Sequence, residues 1–172
     1  MHRIEVDSPV GRIEVVGDGE AVTEITIARH GALPRVSLGT HSDPVLERAA
    51  EQLGEYFAGD RIDFDLPLAP AGSAFQRDVW ARISDIPFGT AATYSRVGAD
   101  LGFPTAASRA IGTAVGANPI TIVIPCHRVL AAGNKPGGFS AYGGVTTKQK
   151  LLALEGVRLG EAPDAPPRLP GL

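Results

Sequence analysis

The chain predicts a small α/β domain, an antiparallel sheet plus a helix, followed by a mainly α domain that carries a helix-turn-helix. Three observations predict it. Alternating apolar and polar residues recur through the first third of the sequence. From position 73 the apolar residues fall instead at helical spacing, broken by glycine turns. Between the two regions, "APAG" at 69–72 reads as a short linker, and the charge balance reverses there. A length of 172 residues suits one or two small domains, each able to bury a core. The expected organisation is 1–72, 73–158 and a Pro-rich disordered tail, "EAPDAPPRLPGL", within 159–172.

The first element is a short strand from Arg3 to Val6, closed by the turn "DSPVG". "RIEVVG" and "AVTEITIAR" are two further strands joined by "GDGE", with Ile25 and Ile27 on one face. Asp43 before Pro44 starts a helix and Gly59 stops it. Its buried stripe is Val45, Leu46, Ala49, Leu53, Tyr56 and Phe57. "RIDFDLPL" alternates again and predicts one more strand.

Beyond the linker, Ser73 and Gln76 fit a capping box, and Phe75, Val79, Trp80 and Ile83 line one face of the helix behind it. "TYSRVGADLG" is a short helix closed by Gly102, and Pro104-Thr105 opens a second through "TAASRAIGTAVGAN". Two short helices about a glycine turn outline a helix-turn-helix. The second is built of small residues, among them Ala106, Ala107, Ser108, Ala110 and Gly112, with Arg109 as the one long side chain on that face. Either it is a tightly packed core helix with a solvated arginine, or it presses against a nucleic acid with Arg109 as its probe. "ITIVI" (120–124) reads as a strand that Pro125 ends. A Gly-rich loop, "LAAGNKPGGFSAYGG", and a final helix, "VTTKQKLLALEG", complete the chain.

Composition narrows the function. At 44% hydrophobic and 20% charged, the chain resembles an ordinary soluble protein rather than a disordered or membrane-spanning one. "MHRIEVDSPV" lacks the apolar core of a signal peptide, and a lone cysteine suits a reducing compartment, so a cytoplasmic protein is expected. One cysteine cannot build a cysteine-rich zinc site, and His2, His30 and His41 show no ligand spacing, so no metal or cofactor is expected. The net charge of −3 conceals an asymmetry. Residues 1–72 hold 6 Lys+Arg against 13 Asp+Glu (−7), residues 73–158 hold 9 against 4 (+5), and the tail holds 1 against 2 (−1). That pattern fits a polyanion meeting the second half, or uneven solvation charge alone.

The single cysteine, Cys126, sits in "NPITIVIPCHRV". A lone cysteine is commonly an inert buried side chain. Here Pro125 places it at a strand end, His127 offers a base, and Arg128 adds positive charge, which are the conditions for a reactive thiolate. Neighbours on a regular strand face opposite ways, so Cys126 and His127 cooperate only through a turn or a bridging water.

"NP" followed by "IPCHRV" closely resembles the active-site signature of the methylated-DNA–protein-cysteine S-methyltransferases, the 6-O-alkylguanine-DNA alkyltransferase family. "FQRDVWARISDIPFGTAATYSRVGADLG", "AASRAIGTAVGANP" and "YGGVTTKQKLLALEG" resemble the same family in order and spacing, over about residues 73–158. The resemblance implies a ribonuclease-H-like first domain, and a monomer that binds double-stranded DNA carrying alkylated guanine. It implies direct-reversal repair, in which a flipped-out 6-O-alkylguanine, or 4-O-alkylthymine, gives its alkyl group irreversibly to Cys126. His127 would act as base through a water, Glu155 would orient it, Asn118 would brace the turn, and Tyr94 would help turn the nucleotide out and protonate the leaving guanine. Arg109 would fill the gap left by the base, and Thr105, Ala106, Ala107, Ser108, Ala110, Gly112 and Arg128 would meet the DNA. Tyr94, Val129, Ser140, Tyr142 and Lys148 would border the substrate, although Lys148 reads equally well as a solvated helix lysine.

Three rivals make different predictions. Alkyltransferase-like binding proteins lack the cysteine. A helix-turn-helix regulator needs polar base-reading side chains, which this second helix hardly offers. A cysteine hydrolase needs an oxyanion hole and turns over repeatedly.

Overall fold

The computed structural model describes residues 1–138 and 144–160. They form two compact units, Met1–Ala71 with Pro119–Val123, and Gly72–Asn118 with the chain from Ile124 on. Pro119–Val123 therefore belongs to the first unit, although it lies within the sequence range expected for the second.

In the first unit, strands β1 (His2–Val6), β2 (Ile13–Gly17) and β3 (Val22–Ile27) form an antiparallel sheet in that order. Val6 pairs with Ile13 and Ile13 with Ile27, and a bulge between Val16 and Gly17 lets Gly17 reach Val22. Helix α1 (Pro44–Ala58) packs on the sheet. The Asp43 side chain accepts from the Leu46 amide, Pro44 occupies the first turn, and Gly59 ends the helix at φ 82°. Leu46, Ala49, Leu53 and Tyr56 are fully buried, whereas Val45 and Phe57 are half-buried. Gln52 joins the buried face because its side chain exchanges two hydrogen bonds with the Asp65 backbone, 2.8 and 3.0 Å.

β2 is buried along its whole length, Glu14 included. A buried carboxylate persists only when paired. Arg3 Nε donates to Glu14 at 2.5 Å, and Arg35 donates through both Nη1 (3.0 Å) and its backbone amide (3.1 Å).

Two expected strands are absent as strands. "RIDFDLPL" is irregular and contributes one parallel bridge, Leu68 to Val22. The Pro67 carbonyl accepts from Val22, but Pro67 and Pro70 have no amide to extend a ladder. "ITIVI" makes a bridge from Ile120 to Ile25 and then turns at Ile122, whose φ is 77°. Positive φ is rare for a β-branched residue, and nothing in the spacing of the apolar residues signals it.

The second unit begins with α2 (Ala74–Ser84), whose capping box is complete: Ser73 Oγ accepts from the Gln76 amide and the Gln76 side chain accepts from the Ser73 amide. Val79, Trp80 and Ile83 are buried and Phe75 is half-buried. Trp80 Nε1 donates to the Ala114 carbonyl at 2.8 Å, which ties α2 to helix α4 (Ser108–Gly116). Helix α3 (Tyr94–Asp100) is capped by Thr93 and ends before Gly102, φ 84°. A 3-10 turn, Thr105–Ala107, leads into α4. Gly98 lets the pair approach closely, since a Cβ there would lie 3.3 Å from Ile111. Two short strands, β4 (Ala92–Thr93) and β5 (Val129–Leu130), pair in parallel. Helix α5 (Gly144–Leu154) follows, with Gly156 at φ 78° behind it. Among the described residues no helix is long and apolar enough to cross a membrane.

Candidate active site

The site lies wholly in the second unit. Pro125 is followed by a 3-10 turn, Cys126–Arg128, so the cysteine and the histidine do not sit on a regular strand that would point them to opposite faces. The turn runs directly into β5, and β4 runs directly into Tyr94 at the start of α3, so the β4–β5 ladder holds both segments side by side. Asn118, just after α4, closes the loop over to the cysteine by donating Nδ2 to the Ile124 carbonyl at 2.8 Å.

A cleft of about 680 Å³ opens there, lined by Tyr94, Ser108, Arg109, Gly112, Thr113, Val115, Gly116, Cys126 and Gly138. The small residues of α4 thus form one wall and the thiol faces the same space. Arg109 is exposed, and its guanidinium makes no hydrogen bond or ion pair with any described residue. Gly137 leaves room for Tyr94, since a Cβ there would lie 3.2 Å from its hydroxyl, whereas a Cβ at Gly112 would meet the ring at an ordinary contact distance of 3.7 Å.

Behind the thiol lies a buried relay. His127 is fully buried and its Nε2 lies 2.7 Å from Glu155 Oε1. Its Nδ1 is buried too and makes no hydrogen bond to a described residue. Burial raises the cost of the Glu155 carboxylate, but the His127 and Arg128 hydrogen bonds outweigh it and hold its pKa at about 2. Burial pushes the His127 pKa down and the Cys126 thiol up. Asn118, by hydrogen bond, and Lys148, by charge, pull the thiol back toward the thiolate. Burial, and then the neighbouring Cys126, push the Tyr94 hydroxyl up, so it remains a proton donor.

Lys148 is fully buried rather than solvated. Its Nζ donates to the carbonyls of Val129 (2.5 Å) and Gly138 (3.3 Å) and lies 5.8 Å from the Tyr94 ring centre. Burial pulls its pKa down to about 8. Val129 has a buried side chain and presents only its carbonyl, to Lys148.

Arg128 departs from expectation. A DNA-facing cation should be exposed, but Arg128 is buried. Nε and Nη2 clamp the two Glu155 oxygens at 2.8 and 2.9 Å, Nη1 donates to the Ile86 carbonyl at 2.7 Å, and the group lies 5.9 Å from the Phe88 ring centre. Each of its three nitrogens donates inside the fold, and the buried group does not present itself to a phosphate. The remaining expected DNA contacts form an accessible run: Thr105, Ala106 and Ala110 are exposed, and Ala107, Ser108 and Gly112 half-buried. Ser140 and Tyr142 lie outside the described residues. Sequence reasoning missed the Arg128 clamp, the β4–β5 ladder and the part of Gly137; the i, i+1 position of Arg128 beside a buried-relay histidine was the one available signal.

Comparison with known proteins bears on this arrangement. Residues 74–157 match the family model described as "6-O-methylguanine DNA methyltransferase, DNA binding domain", and residues 1–70 match its "ribonuclease-like domain". A methylated-DNA–protein-cysteine methyltransferase of Mycolicibacterium paratuberculosis is 42% identical over 150 residues, 87% of this chain and 89% of that one. One from Methanosarcina acetivorans is 38% identical over 91% of this chain and 99% of its own length. The crystal structure of Mycobacterium tuberculosis OGT in complex with DNA superimposes with a TM-score of 0.78 at 36% identity, covering 90% of this chain and 92% of that one. With both family models matched in order, the cysteine at the cleft and the next residue, His127, paired with Glu155 inside the fold, the chain belongs to the 6-O-methylguanine-DNA methyltransferase family.

Proposed function

We propose that the protein repairs DNA by direct reversal, moving the alkyl group of 6-O-alkylguanine, and of 4-O-alkylthymine, from duplex DNA to Cys126 once per molecule. The observation that carries this reading is the shared cleft: the thiol lines the same space as the small-residue face of α4 and Arg109, whose guanidinium pairs with no described residue. The target atom is inaccessible within the stack, so the nucleotide must be flipped out to reach the thiol. A helix of small side chains suits close approach in the minor groove, where readout is nearly blind to sequence, as a repair protein requires. Arg109 fills the space that the flipped base leaves.

The chemistry follows from the side chains. His127 Nδ1 takes the thiol proton through a water, and Glu155 holds Nε2 as the donor and steadies the ring. The thiolate attacks the alkyl carbon in line, the carbon–sulfur bond forms, and the carbon–oxygen bond to the base breaks. Tyr94 donates its proton to the departing guanine. The thioether is stable, so no second turnover follows. The protein is proposed to act as a monomer on double-stranded DNA in the cytoplasm, where its one thiol stays reduced.

Incubation with a duplex carrying 6-O-methylguanine, followed by intact mass and peptide mapping, tests the reading. One methyl group on Cys126, never more than one per chain and absent in Cys126→Ser, is expected. DNA binding with no change in mass would refute the transfer.

A further inference from the structure

We infer that Arg128 is a positioning residue of the relay: by neutralising Glu155 through a bidentate clamp it keeps His127 a neutral base with Nδ1 unprotonated. This rests on the transfer reading for its purpose, though not for its geometry.

A buried carboxylate whose sole partner is an imidazole favours the charged pair, histidinium against carboxylate. A histidinium carries protons on both nitrogens and can accept none. The relay would then hold its proton before any substrate arrived. In this site the carboxylate does not face the imidazole alone. Both Glu155 oxygens are engaged by one guanidinium, at 2.8 Å from Nε and 2.9 Å from Nη2. Oε1 is the oxygen shared with His127 Nε2. The two donors therefore share one oxygen, and the arginine, which cannot give up its proton, keeps its positive charge against that oxygen permanently.

The arginine is itself fixed from the other side. Nη1 is anchored on the Ile86 carbonyl at 2.7 Å, in the segment following α2, and the guanidinium lies near the Phe88 ring. The clamp thus cannot swing toward solvent without breaking a third hydrogen bond. The other charged group acting on His127 is Lys148 of α5, which also disfavours histidinium. Burial first, and then the Arg128 and Lys148 charges, oppose the pull of Glu155 toward histidinium, and the one ring nitrogen without a described partner is Nδ1.

The test combines imidazole 15N NMR of His127 in the free protein with single-turnover rates on a 6-O-methylguanine duplex across pH. In the wild type, His127 should be neutral with its proton on Nε2 at pH 6.5; histidinium there would overturn the inference. Arg128→Met should raise the His127 pKa, and the acid limb of the rate profile with it, by about one unit or more. Adding Glu155→Gln to that variant should reverse the rise. An unchanged pKa and acid limb in a folded Arg128→Met would overturn the inference, and so would a rise that Glu155→Gln fails to reverse, since that would mark hydration of the imidazole rather than loss of the clamp. If Arg128→Met does not fold, Arg128→Lys decides. A single ammonium cannot clamp both oxygens, so a rise of about half a unit is expected, and no rise is the overturning result. A wild type that never methylates Cys126 refutes the transfer reading, and the NMR titration then decides the clamp independently.

Discussion

At the scale of single residues, the site is a set of buried charges whose stability and function pull in different directions. Glu155 has a folded pKa of about 2 against an ordinary 4.5. Its ionised pairings therefore stabilise the fold fully above pH 4.5, and that stability is lost as pH falls toward 2. The shift corresponds to about 3 kcal/mol. Glu155→Gln should lose about that much at pH 7 in urea unfolding, and the gap to wild type should close between pH 4.5 and 2. Lys148 runs the opposite way. Its folded pKa of about 8 lies below its ordinary 10.5, so the fold bears the cost of a buried charge below pH 8 and sheds it between 8 and 10.5. Lys148→Met should raise the melting temperature at pH 7, the advantage should shrink as pH approaches 10, and alkyl transfer should fall at least tenfold. A melting temperature lower at pH 7 would show that the two carbonyl bonds outweigh the buried charge. Cys126 was legible because it is unique and has a basic neighbour. The burial of Lys148 was not, because two carbonyls from distant parts of the chain, Val129 and Gly138, make it tolerable.

Elements were legible where their ends are written locally. Asp43-Pro44, Ser73 with Gln76, and the stops at Gly59 and Gly102 are each decided by a few adjacent residues, and all take the expected forms. The elements that sequence reasoning misplaced depend on partners elsewhere. "RIDFDLPL" has the right alternation but a proline, Pro67, where a ladder needs an amide, and β4 and β5, two residues each, exist only because they find one another. Helix α4 tests whether its composition serves stability or function. Gly112 has room for a methyl group, since the nearest Tyr94 atom would lie 3.7 Å away. Gly112→Ala should therefore stabilise the helix by about 1 kcal/mol. If α4 lies against DNA, the same methyl should weaken binding to a duplex, measured by fluorescence anisotropy. Stabilisation with undiminished affinity would leave the small residues as a packing device only. Arg109→Ala should slow repair in duplex DNA by tenfold or more while the thiol keeps most of its rate with free 6-O-alkylguanine base. Equal loss on both substrates would remove the finger role.

At the scale of the whole molecule, a chain of net charge −3 is proposed to bind a polyanion, and the charge is distributed so that it can. Residues 73–158 carry +5, yet their formal cations overstate what DNA would meet. Arg128 and Lys148 are buried and committed to internal partners. Arg82 and Arg96 both pair with Asp100, beside the helix-turn-helix. Counterion release scales with the phosphates neutralised, at a slope of about −0.9 per contact. With Arg109 and a share of the Arg82–Arg96 pair taken as the phosphate contacts, about two in all, affinity for an undamaged duplex should fall with salt at a log–log slope of about −2. Asp100→Asn frees both arginines and should steepen that slope by about one and tighten binding at low salt. A wild-type slope of about −7 would mean that nearly every cation of the second half reaches phosphate, which the buried positions of Arg128 and Lys148 forbid. That outcome would require the unit to open on DNA.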